Sequence, residues 1–305
     1  MAIKSLKELE EMKLSGKGVL VMDGDWLVFQ AMSASEFDES WDEEIWHRCC
    51  DHKKARGILE QSIRGYADRK KAWSTAPIIL AFTADNNWRK EILETYKSNR
   101  KKTKKPVGYH EFLEALFEDE RYICVREDRL EGDDVMGIIG SNPVPFGFKK
   151  AVLVSCDKDF KTIPDCDFFH CTVGKVLEQN LQSANYWLMF QAMKGDITDG
   201  YSGIAGLGET GALEFLDAPY VLAQVSAEVK AGKNKGSMRT TWQKRPLEAH
   251  ESLWDGIVSL GAKAGMTREE VLVQARVARI LRHEDYNWID REIYLFDFDG
   301  STTVL

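Results

Sequence analysis

Acidic side chains are concentrated in five short segments of this 305-residue sequence. The segments are VMDGDW with Asp23, FTADNNW with Asp85, LEGDDVM with Glu131, Asp133 and Asp134, SCDKDF with Asp157 and Asp159, and KGDITDG with Asp196 and Asp199. A single aspartate beside a glycine is usually a helix cap or a turn residue, so no segment alone indicates chemistry. The question is whether the fold brings the segments together.

Three of these segments follow short apolar runs that are predicted to be buried strands. The predicted strands are GVLVM (18–22), PIILAF (77–82), RYICV (121–125), KAVLVS (150–155) and DFFHC (167–171). Between the first two, apolar residues from Ile45 to Tyr66 follow helical spacing, and strand–helix alternation predicts a mostly parallel α/β sheet. Ligands bind outside the carboxyl ends of such strands, where Asp23, Asp85 and Asp157 are expected.

Carboxylates that converge in this way predict a site for divalent cations. Two carboxylates ~4 Å apart repel each other by about 4 kcal/mol at an effective dielectric constant of ~20, so bound cations are needed to neutralise them. A ligand set of oxygen atoms alone favours Mg²⁺ or Mn²⁺ over zinc. Two such ions roughly 3.5–4 Å apart can activate a water molecule and stabilise a leaving oxygen, which predicts phosphoryl-transfer chemistry.

Positive charge is concentrated between residues 89 and 105, although the net charge of the chain is −8. The basic residues are Arg89, Lys90, Lys97, Arg100, Lys101, Lys102, Lys104 and Lys105. Such a run is often just the solvated face of a helix. Here it is interleaved with Trp88 and Tyr96, a pattern typical of contact with single-stranded nucleic acid.

The sequence changes character near residue 190, where a second, helical region is predicted to begin. This divides the chain into residues 1–190 and 191–305. A glycine-rich turn around Gly206 and Gly208 is expected between two helices, where free backbone N–H groups can hold a phosphate. Beyond it the sequence predicts helices to about residue 282 without strands, interrupted by a basic segment at 230–245 that is expected to be a mobile loop or a short excursion.

Composition excludes some classes of protein. Hydrophobic residues make up 44% and charged residues 30%, as in a globular domain, and no apolar run reaches the ~18 residues of a membrane span. The N-terminal residues lack the apolar core of a secretory signal. The six cysteines show no metal-binding spacing, and reduced thiols in a cytoplasmic protein are expected.

The acidic segments, the basic segment and the glycine-rich turn together resemble the flap-endonuclease family of structure-specific 5′ nucleases. The resemblance runs from about residue 18 to residue 296 and is strongest to the 5′→3′ exonucleases of short-tailed coliphages. It implies a PIN-like nuclease domain with a helical arch, and a helix–three-turn–helix element that holds duplex DNA and a potassium ion. It implies two Mg²⁺ near all nine acids, with Tyr96, Lys97 and Arg100 meeting the 5′ strand near the scissile phosphate.

The function that this resemblance implies is 5′→3′ exonuclease action on duplex DNA with free 5′ ends. RNA primers in RNA–DNA hybrids and 5′ flaps are further implied substrates. The implied roles are phage DNA replication, degradation of host DNA and recombination, in the host cytoplasm.

Two other functions remain open from the residues alone. A haloacid-dehalogenase-type phosphatase would use Asp23 as its nucleophile and Asp25 as a general acid, because a strand followed by DxD is its first motif. This alternative gives no role to the acids at 131–134 or to the basic segment. A non-catalytic protein that binds branched DNA is the second alternative, but such a protein gains nothing from acids that repel phosphate.

Overall fold

The computed structural model describes residues 3–40, 42, 44–99, 104–230 and 233–305. The strands are β1 Val19–Asp23, β2 Glu36–Ser40, β3 Trp46–Cys50, β4 Ile78–Phe82, β5 Ile123–Arg126, β6 Ala151–Ser155, β7 Asp167–His170, β8 Lys175–Glu178, β9 Tyr220–Glu228, β10 Met238–Pro246, β11 Tyr286–Asn287, β12 Glu292–Phe296 and β13 Thr302–Val304. The helices are α1 Leu6–Glu11, α2 Gly24–Ser33, α3 His52–Ala67, α4 Arg89–Ile92, α5 Tyr109–Phe117, α6 Gly132–Ser141, α7 Leu181–Lys194, α8 Glu209–Asp217, α9 Leu253–Lys263 and α10 Arg268–Ala278.

A six-stranded sheet in the order β5-β4-β1-β6-β7-β8 forms the centre of the fold. The first five of these strands run parallel, and β8 is antiparallel to β7 at one edge. The five parallel strands are the five apolar runs predicted from the sequence, and the predicted mostly parallel α/β fold is confirmed. Burial on both faces explains why these strands are continuously apolar rather than alternating.

The two faces of the sheet contribute to separate apolar cores. Along β1, Val19 and Val21 pack into one core, whereas Leu20 and Met22 pack into the other, because successive side chains of a strand point to opposite faces. Helices α2, α3 and α5 cover the second core, and helices α1 and α6 cover the first. The sheet is therefore the middle of three layers and is held rigidly from both sides.

Helices α7, α8, α9 and α10 form a third core around Phe215 and Trp254. The chain then returns to the sheet, where Leu281 and Ile293 join the core under α6. The division at residues 190 and 191 stays a prediction. Among the described residues no helix is long and apolar enough to cross a membrane.

Three local predictions were wrong. Residues 46–50 form strand β3, and the helix predicted from Ile45 begins only at His52, where Asp51 caps it. Residues 238–245 belong to β10, which pairs with β9 in a hairpin, so this segment is an excursion rather than a loop, and the predicted absence of strands before residue 282 is incorrect. Most residues of β3 and β10 are exposed, so these strands form no apolar run, whereas β9 begins with the apolar stretch YVLA and is exposed from Gln224 onwards.

The third correction concerns the predicted helical arch. Helix α4 ends at Ile92, residues 94–99 form turns, and α5 begins only at Tyr109. Lys97 has a φ of 53°, which lies in the left-handed region and cannot continue a right-handed helix. Lys97 therefore does not share a helix face with Arg100, which lies outside the described residues together with Lys101 and Lys102.

Candidate active site at the carboxyl edge of the sheet

A cleft of about 540 Å³ opens at the carboxyl ends of β1, β4 and β6. Five of the nine predicted acids line this cleft: Asp23, Asp85, Glu131, Asp133 and Asp157. A smaller cavity adjoins it, sharing three of these acids and adding Asp159 and Asp199. The structure thus brings together acids from segments more than 100 residues apart, as expected for strand ends along one edge of a sheet.

Asp23 ends β1 and caps α2, since its carboxylate accepts a hydrogen bond from the Trp26 backbone N–H at 2.9 Å. Its other oxygen lies 3.4 Å from the Ser155 hydroxyl at the end of β6. Asp25 sits in the first turn of α2 and accepts a hydrogen bond from the Thr83 N–H at 2.8 Å. These bonds fix two carboxylates at the same wall of the cleft.

Asp157 and Asp159 flank Lys158 immediately after β6. Asp157 accepts a hydrogen bond from the Asp159 N–H at 2.8 Å, which folds the segment into a short 3₁₀ helix. The Lys158 ammonium lies 3.0 Å from an Asp159 oxygen and 3.1 Å from an Asp196 oxygen. Gln191 donates to the same oxygen of Asp159 at 2.6 Å. Lys158 therefore links the SCDKDF and KGDITDG segments through ion pairs with an aspartate of each.

Glu131 precedes α6 and contacts residues of the basic segment. Its carboxylate accepts hydrogen bonds from the Tyr96 hydroxyl at 2.9 Å and from the Lys97 ammonium. Lys97 is held in its left-handed conformation by a backbone bond of 2.7 Å to the Asp199 carbonyl oxygen. Backbone strain of this kind costs of order 1–3 kcal/mol and persists where surrounding contacts impose it.

Asp134 and Arg89 were both assigned wrongly from the sequence. The Arg89 guanidinium is 2% exposed and forms two hydrogen bonds of 2.7 Å to Asp134, so it cannot reach DNA. Asp134 is fully buried and also accepts bonds from the Trp88 indole and the Leu281 N–H. Both of its oxygens are occupied, which leaves none for a metal ion. The pair joins α4 to α6.

Burial and mutual repulsion raise the pKa of several carboxyls at the cleft. Burial, reinforced by the charges of Asp25 and Asp157, raises the pKa of Asp23 to about 7. Burial beside Asp157 raises the pKa of Asp159 to about 6, and burial near Asp23 raises that of Asp133 strongly. For Asp134, burial raises the pKa but the Arg89 charge outweighs it, so the pKa falls below its ordinary value.

The donor set fits divalent cations that prefer oxygen ligands. The raised pKa values mean that excess negative charge is incompletely neutralised by protein cations, which is the condition that a bound cation relieves. The buried hydroxyl of Tyr201, which lines the smaller cavity, has no hydrogen-bond partner among the described residues. Within those residues no three acids form a compact metal cluster; they surround the shared cavities instead.

The remaining predicted residues lie in three places. Lys105 lines the cleft with its ammonium 4.2 Å from the centre of the Tyr109 ring, and Lys104 is exposed beside it. Lys90 is exposed in a separate groove that Asp85 also lines. The Gly206 backbone has a φ of 78°, and Gly208 caps α8, so this exposed turn leads into a helix N-terminus as predicted.

Two residues of the site were missed. Asp25 lines the cleft, and the DxD spacing marks it in the sequence, but this spacing indicates only the phosphatase alternative. Lys158 lies between two predicted acids, and its positive charge gives no indication of a role at a metal site. No sequence pattern indicates that it also pairs with Asp196, because that contact depends on how α7 packs.

Fold and site together define an α/β enzyme whose acidic cleft at the sheet edge suits divalent cations. A family model described as "5'-3' exonuclease, N-terminal resolvase-like domain" matches residues 18–184, more than half of the chain. The chain belongs to this 5′-3′ exonuclease family, which confirms the resemblance stated from the motifs. The phosphatase alternative is thereby set aside.

Two phage proteins are similar over nearly the whole chain. The "Exonuclease" of Escherichia phage T7 and the "Exodeoxyribonuclease" of Enterobacteria phage T3 are each 62% identical over 299 residues, covering 97% of this chain and 99% of the relative. Among solved structures, the T5 D15 protein co-crystallized with metal ions has a TM-score of 0.52 at 15% identity. The alignment covers 86% of this chain and 89% of that one, and it supports the fold alone.

Proposed function

We propose that this protein removes nucleotides from the 5′ ends of duplex DNA by hydrolysis at a site holding two Mg²⁺, which Mn²⁺ can replace. The observation that carries the proposal is the convergence of Asp23, Asp133 and Asp157 on one cleft, with Lys97 on its wall. When bound, two such ions supply an activated water molecule and charge neutralisation at the leaving oxygen.

The chain's own residues would orient the substrate. We assign Asp23, Asp85, Glu131, Asp133, Asp157, Asp159, Asp196 and Asp199 to holding the cations, directly or through water. Lys97, now paired with Glu131, would turn to the scissile phosphate when a cation takes over that carboxylate. Tyr96 would keep Glu131 in place, since its buried hydroxyl already donates to that carboxylate.

The substrate would be gripped at two further places. The turn at Gly206 and Gly208 would bind a duplex phosphate through free N–H groups of α8, and its carbonyl oxygens would take a potassium ion. Lys90, Lys104 and Lys105, with Arg100, Lys101 and Lys102 of the undescribed segment, would attract the single strand. We further propose action on 5′ flaps and on RNA in RNA–DNA hybrids, during phage replication, host DNA degradation and recombination in the host cytoplasm.

The test is digestion of a linear duplex labelled at the 5′ end or at the 3′ end, in Mg²⁺ and in EDTA. The 5′ label should be released first as short products, and EDTA should abolish release. A matched covalently closed circle should resist, because it offers no 5′ end. Early loss of the 3′ label, or equal digestion of the circle, would contradict the proposal.

A second assay tests the hybrid substrate. Duplexes of one sequence with a 5′-labelled DNA strand or a 5′-labelled RNA strand should both release label. Release from the DNA strand alone would remove RNA primers from the proposed substrates without touching the exonuclease itself.

A further inference from the structure

The hairpin of β9 and β10 is anchored at its base and exposed towards its tip. The two strands pair from Tyr220 opposite Pro246 to Glu228 opposite Met238. At about 3.4 Å per residue, nine residues span roughly 30 Å. At the base, Leu222 packs into the core beside Trp254, and its N–H donates to the Ser259 hydroxyl at 2.9 Å.

The distal half of the hairpin, residues 224–230 and 233–241, has almost no support from the rest of the protein. The last five residues of β9 and the first three of β10 are exposed, and successive side chains point to opposite faces. Both faces therefore meet solvent. A two-stranded ribbon is marginally stable alone in water, so an added surface against which it packs would stabilise it.

Charge separates the distal half from the base. Arg245 at the base pairs with Glu251, and the Lys244 ammonium lies 4.1 Å from the Tyr220 ring centre. The distal cations are all exposed, and none pairs with an acid in the part of the chain that the structure describes; they are Lys230, Lys233, Lys235 and Arg239. Glu228 is the one acid of the distal half. Unpaired cations are thus concentrated at the tip of a chain with net charge −8.

We propose that the distal half of the hairpin is an additional contact surface for duplex DNA, separate from the acidic cleft and from the turn at Gly206. A concentrated positive patch on a negative protein selects a polyanion. The major groove of B-DNA, about 12 Å wide, admits a two-stranded ribbon, whose lysines then meet the phosphates on either side. The contact is independent of base sequence, and it rests on the proposed action on duplex DNA.

Such a contact acts on binding and not on the chemical step. The hairpin cations do not line the cleft that holds the acids. Their removal should shorten the time that the enzyme stays on a duplex and reduce the number of nucleotides removed per encounter. Hydrolysis by enzyme already bound should keep its rate.

The test compares two triple variants that lose equal charge. One is Lys230→Gln, Lys233→Gln, Lys235→Gln at the tip. The control is Lys17→Gln, Lys149→Gln, Lys150→Gln, which are exposed residues at the amino ends of β1 and β6, opposite the cleft. Dissociation constants for a 5′-flapped duplex and for a single strand are measured at several salt concentrations with Ca²⁺ in place of Mg²⁺.

The tip variant should bind the duplex at least tenfold more weakly. The negative slope of log binding constant against log salt concentration should become shallower by about 0.9 for each phosphate that the lysines no longer neutralise. Binding of the single strand and binding by the control should change less than twofold. Equal losses of affinity in both variants, or an unchanged salt slope for the tip variant, would overturn the proposal. It would also be overturned if the tip lysines were needed only for binding a protein partner and not for binding DNA.

Single-turnover cleavage at saturating enzyme separates this inference from the proposed function. The tip variant should cleave at the wild-type rate in Mg²⁺. If the wild type fails to release a 5′ label, the proposed function fails, whatever the hairpin does. If the wild type cleaves and the tip variant binds normally, only the hairpin proposal fails.

Discussion

Asp133 and Asp134 are neighbours in sequence but face opposite surroundings. Consecutive residues of a helix point about 100° apart, so at the start of α6 one carboxylate lines the cleft while the other pairs with Arg89 in the core. Two adjacent residues of the same type cannot be told apart from the sequence. The distinction lies in which helix face meets α4, and that is a property of packing.

The first prediction concerns Asp133 and Asp157, two of the three acids that line both cavities. Asp133→Asn and Asp157→Asn should each lower kcat by orders of magnitude, because removal of a carboxylate weakens cation binding and alignment. DNA affinity in Ca²⁺ should persist, because the basic residues and the turn at Gly206 are proposed to bind the phosphates. Single-turnover rates and dissociation constants on a 5′-flapped duplex check this. Wild-type turnover by either variant would remove that residue from the site.

The second prediction contrasts two lysines of the basic segment. Lys97 is tied to Glu131 at the cleft, whereas Lys104 is exposed outside it. Lys97→Ala should slow single-turnover cleavage at saturating enzyme about a hundredfold, equivalent to ~3 kcal/mol less charge stabilisation at the phosphate. Lys104→Ala should weaken binding and leave that rate unchanged. Equal, modest losses of affinity in both variants would mean that Lys97 has no special role.

At the scale of elements, the predictable part of the fold is the part buried on both faces. The five parallel strands stood out because each is a short continuous apolar run, and the acids after them followed from the rule for strand ends. Strands β2, β3 and β10 lack such a run because they are largely exposed, and β9 has one only at its base, where Val221 and Leu222 are buried. A helix was predicted for residues 45–50 because their few apolar residues match helical spacing by chance.

The burial of Arg89 gives a third prediction. In sequence Arg89 is indistinguishable from the exposed cations that follow it, yet it also donates to the Val277 and Arg279 carbonyl oxygens and so joins α4, α6 and the end of α10. Arg89→Met should lower the free energy of unfolding by about 3–5 kcal/mol, because Asp134 is left buried without its partner. Urea denaturation measures this. The control Lys90→Met, at the exposed neighbour, should change stability by under about 0.5 kcal/mol; equal effects would contradict the role of the pair.

At the scale of the whole molecule, the acidic cleft works against stability when no divalent cation is bound. Burial raises the pKa of Asp23 to about 7 and that of Asp159 to about 6, from ordinary values of 3.8. The folded protein therefore holds more protons than the unfolded chain between about pH 4 and pH 7. The contribution of these groups to the free energy of unfolding falls as pH rises through that window, and it stays low above it.

The last prediction follows from this sign. In EDTA, Asp133→Asn should raise the Tm at pH 8 by a few degrees, because it removes one of the repelling charges, and one unit of pKa shift corresponds to about 1.4 kcal/mol. At pH 5, where Asp23 and Asp159 hold their protons, the gain should be smaller. Asp68→Asn, at an exposed carboxylate beyond α3, serves as the control and should show neither the gain nor its dependence on pH.

Mg²⁺ should raise the Tm of the wild type more at pH 8 than at pH 5. It should raise the Tm of Asp133→Asn less than that of the wild type, because the variant lacks both the repulsion and a ligand. Thermal unfolding in EDTA and in Mg²⁺ at the two pH values tests all of these expectations. A lower Tm for Asp133→Asn in EDTA at pH 8 would show that this carboxylate stabilises the fold. The loss of stability caused by the metal-free cleft would then have to come from the other acids.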